Sequence, residues 1–306
     1  MAWISLLSCD GVHEFPSSPN RGEDVAVSLR LVPDPEWELQ DWSPESRADL
    51  YDEWQSRYII KVYAKDTRKR PAAEFIYYGE ADEEAFNADV TLPAGEWDIY
   101  VWRDYVHPAL TFHNADRFEA ITYSEGDYHG AHDMRDAFEG RISIDTDALS
   151  DTRSAALPVT LSRPVAKYVF IATDYRKFRE DNPDIDGYMA EGVYPLFMPS
   201  VYNMFTKQIV DSATGMSYLS PITPLGDDEA MVAFDHVLMN DRDNAAQVQL
   251  LLHTPDGSVR ALTGTLTVPL RRGQTTYVRG DFLTVKGGGG GISIDTSFSG
   301  EFNIQI

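Results

Sequence analysis

The sequence predicts an all-β protein, two tandem β-sandwich domains with short helical insertions, and three observations carry that reading. Apolar and polar residues alternate with period 2 near both ends, from Val25 to Leu31 and from Ile292 to Ile306, as half-buried strands require. Turn-forming triplets, Pro93-Ala94-Gly95 and Pro255-Asp256-Gly257, separate strand-forming runs in each half. The chain has 306 residues, and at roughly 150 residues per domain two domains are expected.

Along the chain, residues 1–23 are expected to be a lipoprotein signal remnant and tether. Met1 to Cys9 is apolar, and Leu6-Leu7-Ser8-Cys9 resembles the bacterial lipobox, in which the cysteine becomes a lipid-bearing N-terminus. Cys9 is therefore the expected lipid anchor, since acyl chains hold a polar domain on a membrane at about 0.8 kcal/mol per buried methylene. Pro16 to Glu23 is all turn and linker formers, an exposed tether.

The first strand follows at Val25 to Leu31 and a second at Tyr58 to Ala64. Between them Ser43 has N-cap chemistry and Pro44 suits a first helical position, with Leu50 and Trp54 on one face, so a short helix is expected near 44–56. Val90 to Trp102, around Pro93-Ala94-Gly95, reads as a hairpin. Pro158 and Pro164 interrupt strands, and a fresh strand begins at Val165. This predicts a first domain over 24–157 and a second over 158–306.

In the second half, Gln247 to Thr254 and Val259 to Val268 flank Pro255-Asp256-Gly257 as a second hairpin, and Arg272-Gly273 marks a turn before Thr275 to Val278. Gly287 to Gly291 is a five-glycine hinge. After it Ile292, Ile294, Thr296, Phe298, Gly300, Phe302, Ile304 and Ile306 fall on one face of an uninterrupted alternation. This is a terminal strand, or a donor strand for another subunit, whose apolar face must be covered.

Charge and cysteine content exclude several functions. Against 26 Lys and Arg stand 49 Asp and Glu, a formal charge of -23, so phosphate backbones are repelled and nucleic acid is not an expected partner. The single cysteine forbids an internal disulfide and a Cys-based zinc site. No apolar run reaches the length of a membrane-spanning helix, so membrane contact is expected through the lipid anchor alone.

Candidate chemistry is sparse. Asp127, His129, His132, Asp133 and Asp136 cluster in sequence but match no metal-ligand spacing. Asn182 to Gly187 resembles the start of a calcium loop, yet its twelfth position is Val193 where a bidentate Glu is needed. Arg279-Gly280-Asp281 reads as a strand end, and the glycine run lacks the Lys-Ser or Lys-Thr of a phosphate loop. No catalytic, metal-binding or cofactor-binding residue is assigned, and no enzymatic activity is expected. Trp37, Trp42, Tyr51 and Trp54 crowd an acidic region and are read first as packing, with sugar binding as the alternative.

Leu6 to Cys9, Leu92 to Asp98, Leu161 to Tyr168 and Gly291 to Ile306, in that order, resemble the Bacteroidales fimbrillins, subunits of the type V pilus. The resemblance spans nearly the whole chain and implies transthyretin-like sandwiches and export as a lipid-anchored protein of the outer membrane. It also implies assembly with other fimbrial subunits, or with itself, by donor-strand exchange after proteolysis at an arginine. Arg21 in the tether is the natural candidate for that cut, with Arg30 second. The donor or terminal strand is then Ile292, Ile294, Phe298, Phe302, Ile304 and Ile306. A monomeric surface lipoprotein that binds a glycan, or another host or bacterial surface ligand, through aromatic loops is the alternative.

Overall fold

The structure, a computed structural model, describes residues 24–34, 53–124, 128–149, 156–183, 187–240, 243–284 and 301–303. It is built almost wholly of strands. The first ten are β1 Val25–Pro33, β2 Gln55–Ala64, β3 Ala73–Glu80, β4 Phe86–Leu92, β5 Glu96–His107, β6 Leu110–Thr111, β7 His113–Asn114, β8 Ile121–Tyr123, β9 Ala137–Asp145 and β10 Leu157–Leu161. The next six are β11 Val165–Ala172, β12 Met189–Tyr194, β13 Met198–Asn203, β14 Gln208–Ala213, β15 Met216–Pro221 and β16 Thr223–Pro224. The last six are β17 Ala230–Leu238, β18 Asn244–His253, β19 Val259–Ala261, β20 Leu266–Leu270, β21 Thr275–Gly280 and β22 Glu301–Asn303. Short helices interrupt them at Asp133–Arg135, Thr146–Leu149 and Tyr175–Asp181.

Two pairs of facing sheets each enclose a core. In the first, the sheet β10-β1-β4 lies against β3-β2-β5, which β6 and β9 extend. Val27, Leu29, Leu31, Val90 and Val159 from one sheet meet Tyr58, Ile60, Val62, Ile99 and Val101 from the other. In the second, β16-β17-β11-β21-β22 faces β15-β12-β18-β19, with β20 on β18. Its core holds Tyr168, Phe170 and Val278 against Tyr194, Tyr218, Leu250 and Val268.

A third core lies between the pairs. Ile59, Tyr63, Tyr100 and Trp102, on the outer face of the β2-β5 sheet, pack with Phe118, Ile121, Val165, Tyr202, Met204 and Leu238. The sheet β14-β13-β8-β7 crosses the same region and draws strands from both halves, with Ile121 opposite Tyr202. Strand β10 pairs in parallel with β1, Leu29 opposite Leu157. Residues 158–161, just past the expected boundary at 157/158, thus pair into the first sheet with Leu157, and sheet membership changes over Ser162 to Pro164.

Two local expectations are corrected. Val90 to Trp102 is not a hairpin, because β4 pairs with β1 while β5 pairs with β2 and β9. The burial pattern gives the reason. β4 alternates buried and exposed residues, whereas Asp98 to Tyr105 of β5 is buried without interruption; β5 is a central strand covered on both faces. The Pro93-Ala94-Gly95 turn therefore carries the chain across the core, and Thr146 Oγ1 secures it by accepting from Gly95 N at 2.8 Å and donating to Pro93 O at 2.9 Å.

The helix expected near 44–56 does not reach its predicted end. Glu53 has φ of 64° and β2 already begins at Gln55. Residues 35–52 lie outside the described residues. The hairpin around Pro255-Asp256-Gly257 is present, with Leu251 opposite Ala261 and Gly257 at φ 82°. Its return strand is split into β19 and β20, both on β18.

Candidate functional site

Strand β1 occupies a slot. Its alternation places Val27, Leu29 and Leu31 inward at 3%, 0% and 1% exposure, with Ala26 and Arg30 exposed. On one side it runs antiparallel to β4 from Val25↔Leu92 to Leu31↔Phe86. On the other it runs parallel to β10 from Leu29↔Leu157 to Pro33↔Leu161. Three buried aliphatic side chains contribute roughly 1.5–3 kcal/mol each, and the backbone is paired along both edges. Removing β1 would expose Val90, Leu92, Val159 and Leu161 together with the inward side chains of β2 and β5.

The second assembly of functional interest is a clasp between the halves. Four ion-paired residues fall within 133–139, and each partner lies beyond residue 162. Asp133 accepts from Lys167 at 2.6 Å, Asp136 from Arg163 at 2.7 Å, and Glu139 from Arg272. Arg135 Nε lies 2.9 Å from Asp235 Oδ1, with both side chains at 2% exposure or less. That contact lacks hydrogen-bond alignment and is an ion pair.

The rest of the Arg135 guanidinium is well placed. It donates to His129 O at 2.9 Å and to Tyr128 Oη at 2.6 Å, and its Cζ lies 4.4 Å from the Tyr128 ring centroid and 4.7 Å from that of Tyr123. Asp235 also accepts from Tyr128 Oη at 2.6 Å, from Tyr194 Oη at 2.7 Å and from His236 N at 2.8 Å. Tyr168 Oη continues the chain at 2.8 Å to both Tyr194 and Tyr218. Burial opposes the Arg135 charge, yet Asp235 and the surrounding tyrosines hold its pKa above the ordinary value. Burial drives the four phenols Tyr128, Tyr168, Tyr194 and Tyr218 well above theirs, so they stay neutral donors.

Two histidines flank the clasp, His113 and His236, and neither ring makes a hydrogen bond, although His113 Nδ1 lies 4.0 Å from Asp104 Oδ2. Burial, reinforced by nearby cations including Arg135, lowers His113 to about 3 and His236 well below its usual value. Both are neutral imidazoles packed among aromatic rings, His113 against Trp102 and His236 against Phe234.

Of the cluster Asp127, His129, His132, Asp133 and Asp136, Asp127 lies outside the described residues. Asp133 and Asp136 are committed to Lys167 and Arg163, and His132 Nδ1 accepts from Met134 N at 3.1 Å. Among the described residues no group of three or more metal-ligand side chains converges. Asn182 donates to Phe178 O and accepts from Tyr188 Oη, and residues 184–186 lie outside the described residues. In Arg279-Gly280-Asp281 the guanidinium pairs with Glu229 at 2.6 Å, and Asp281 accepts from Thr173. Trp54 stacks on Phe112 at 5.5 Å and touches His107 and His132, the packing role expected of it; Trp37, Trp42 and Tyr51 lie outside the described residues.

Of the other residues singled out from the sequence, Cys9, Arg21, Ile292, Ile294, Phe298, Ile304 and Ile306 lie outside the described residues. Arg30 sits within β1, paired with Asn87 and Pro158. Phe302 is on β22, whose backbone pairs in parallel with β21 at Val278. The clasp was missed. Its bonded partners stand 27 to 133 residues apart, and no local pattern announces such pairs.

Among family profiles, residues 19–306 match DUF6562, a family of unknown function. No curated protein matches. Solved structures similar to the chain include a protein of Bacteroides eggerthii provisionally assigned to cell adhesion. It is 15% identical over 89% of this chain and 91% of that one, with a TM-score of 0.45. The tip fimbrial protein Mfa3 of Porphyromonas gingivalis is 13% identical over 80% and 82%, with a TM-score of 0.42. The fimbrial anchor protein Mfa2 of the same organism is 11% identical over 78% and 81%, with a TM-score of 0.39. At these scores no residue role is carried from them to this chain.

Proposed function

The chain belongs to the DUF6562 family, and from that premise we propose that it is a fimbria-associated structural and adhesive subunit of the cell surface, assembled by exchange of strand β1. The observation that carries this reading is the β1 slot. The first described strand is paired on both edges, is alternately buried, and is joined to β2 by the long connection 34–54, so cutting that connection separates it from the body of the sheet. An incoming strand with alternating apolar residues would regain the main-chain hydrogen bonds and the side-chain pockets together. The terminal alternation from Ile292 to Ile306 has the matching period.

The slot also bears on where a releasing cut must fall. A cut after Arg21 trims the tether and leaves β1 in place, and one after Arg30 leaves Leu31 to Pro33 behind. Release of the whole strand requires a cut between Pro33 and Gln55, and Arg47 is the single basic residue in that interval. The proposed role is non-catalytic, with a lipid anchor at Cys9 holding the subunit on the outer membrane before assembly.

The test is Arg-specific proteolysis of the intact chain followed by addition of synthetic peptides for residues 24–34 and 291–306. The cut protein is expected to release its own β1 peptide slowly, to take up either added peptide, and to lose uptake when Leu29 or Ile304 in the peptide is Asp. Arg47→Ala should block the reaction. Cleavage at Arg47 followed by no exchange with either peptide overturns the proposal.

A further inference from the structure

A third feature is distinct from the slot and adjoins the edge of the clasp, where Arg57 bonds His113 O. On the outer face of the first pair of sheets a cleft of about 270 Å3 opens between the ends of β2, β3 and the β5–β6 turn. Its wall is Tyr78, opposite Arg57 across the β2–β3 ladder. Tyr78 is 56% exposed, whereas most aromatic rings among the described residues are buried. Val106 and Pro108 add apolar lining, and Gln55 and Thr111 add polar lining.

The polar groups fall into two sets. Arg57 is held rigid: Nε and Nη2 bond the Asp104 carboxylate at 2.9 and 2.7 Å, and Nη2 also bonds His113 O at 3.0 Å. That pairing neutralises the guanidinium and leaves Nη1 without a partner among the described residues. His107 is fixed too, because Nδ1 accepts from Ala109 N at 3.1 Å, so the proton is on Nε2 and is donated to Glu53 at 3.0 Å. By contrast the Gln55 amide, the Tyr78 hydroxyl and the Thr111 hydroxyl, all at the cleft, have no hydrogen bond among the described residues.

From this arrangement we infer that the cleft binds one neutral sugar unit of a glycan. A pyranose presents a C–H face that packs on an exposed aromatic ring and hydroxyls that need both donors and acceptors at its edge. Tyr78 supplies the face, while Gln55, Thr111 and Arg57 Nη1 supply the edge. The volume suits a single ring, and the open mouth lets the rest of a linked chain leave. Anionic sugars are disfavoured because Asp104 already neutralises Arg57 and the chain carries -23 overall.

Saturation-transfer NMR on the full chain tests this, with the methyl glycosides of glucose, galactose, mannose, N-acetylglucosamine and fucose, their free reducing sugars, and glucuronate. At least one neutral methyl glycoside should bind with Kd on the order of 1 mM, the scale of about −4 kcal/mol. Tyr78→Ala should weaken it at least ten-fold and Gln55→Ala several-fold, with unchanged circular dichroism. Both side chains are exposed, so either variant alone serves if the other misfolds. The inference is overturned if no neutral methyl glycoside binds, if binding survives both substitutions, if only reducing sugars bind, or if glucuronate binds best. None of these readouts depends on strand exchange.

Discussion

Arg135→Met isolates the centre of the clasp. The substitution keeps most of the side-chain length and removes the charge, leaving the Asp235 carboxylate at 0% exposure with the Tyr128, Tyr194 and His236 donors only. Breaking one side of a buried ion pair costs about 3–5 kcal/mol. The surviving donors argue for the lower end, while loss of the ring contacts with Tyr123 and Tyr128 adds about 1 kcal/mol. A net loss of about 4 kcal/mol is expected. Asp133→Asn is the internal control, since Asp133 is 44% exposed beside Lys167 and such a pair is worth about 0–1 kcal/mol. Urea unfolding of the full chain, followed by tryptophan fluorescence, measures both. In an Arg135→Met/Asp235→Asn cycle the coupling should exceed 1 kcal/mol. A loss below about 1 kcal/mol for Arg135→Met, equal to that of Asp133→Asn, would refute the clasp as an energetic link between the halves.

Acid should weaken the same region. His113 and His236 are held below their unfolded value of about 6.5, so the unfolded chain binds more protons, and their contribution is complete above that pH and is lost as pH falls toward about 3 for His113. Between pH 6.5 and 5 His113 should remove between about 1 and 2 kcal/mol, with His236 adding a loss of the same sign, a slope that His113→Phe should reduce and that a flat stability profile would contradict. Gly130→Ala should destabilise by about 1–3 kcal/mol, read as a lower melting temperature, because a Cβ there would come within 2.3 Å of the Tyr218 ring; an unchanged melting temperature would mean the ring has room to move. Cys9→Ala should shift the protein from the outer-membrane to the soluble fraction without altering its melting, and persistence in the membrane fraction would exclude Cys9 as the anchor.

The strands that stand half-exposed were legible in the sequence because one face meets water and the other the core. Val25 to Leu31 alternates and is β1, and Pro255-Asp256-Gly257 turns a true hairpin. Alternation does not say which sheet a strand joins. Val90 to Trp102 looked like a hairpin, but its second strand is buried on both faces, and a turn triplet serves equally to reverse a chain within one sheet or to carry it to the facing one.

By itself the sequence determined the strand-rich class, the acidic surface that repels polyanions, the absence of any internal disulfide, and the inward residues of β1. Tertiary structure alone decided that β1 lies between β4 and β10, that Asp133 pairs with Lys167 and Asp136 with Arg163, and that Arg135 meets Asp235. The physical reason is range. Periodicity is set by neighbours two residues apart along a strand, whereas pairings across a sheet and ion pairs across a core join residues brought together by loop closure, and nothing in either local segment encodes its partner.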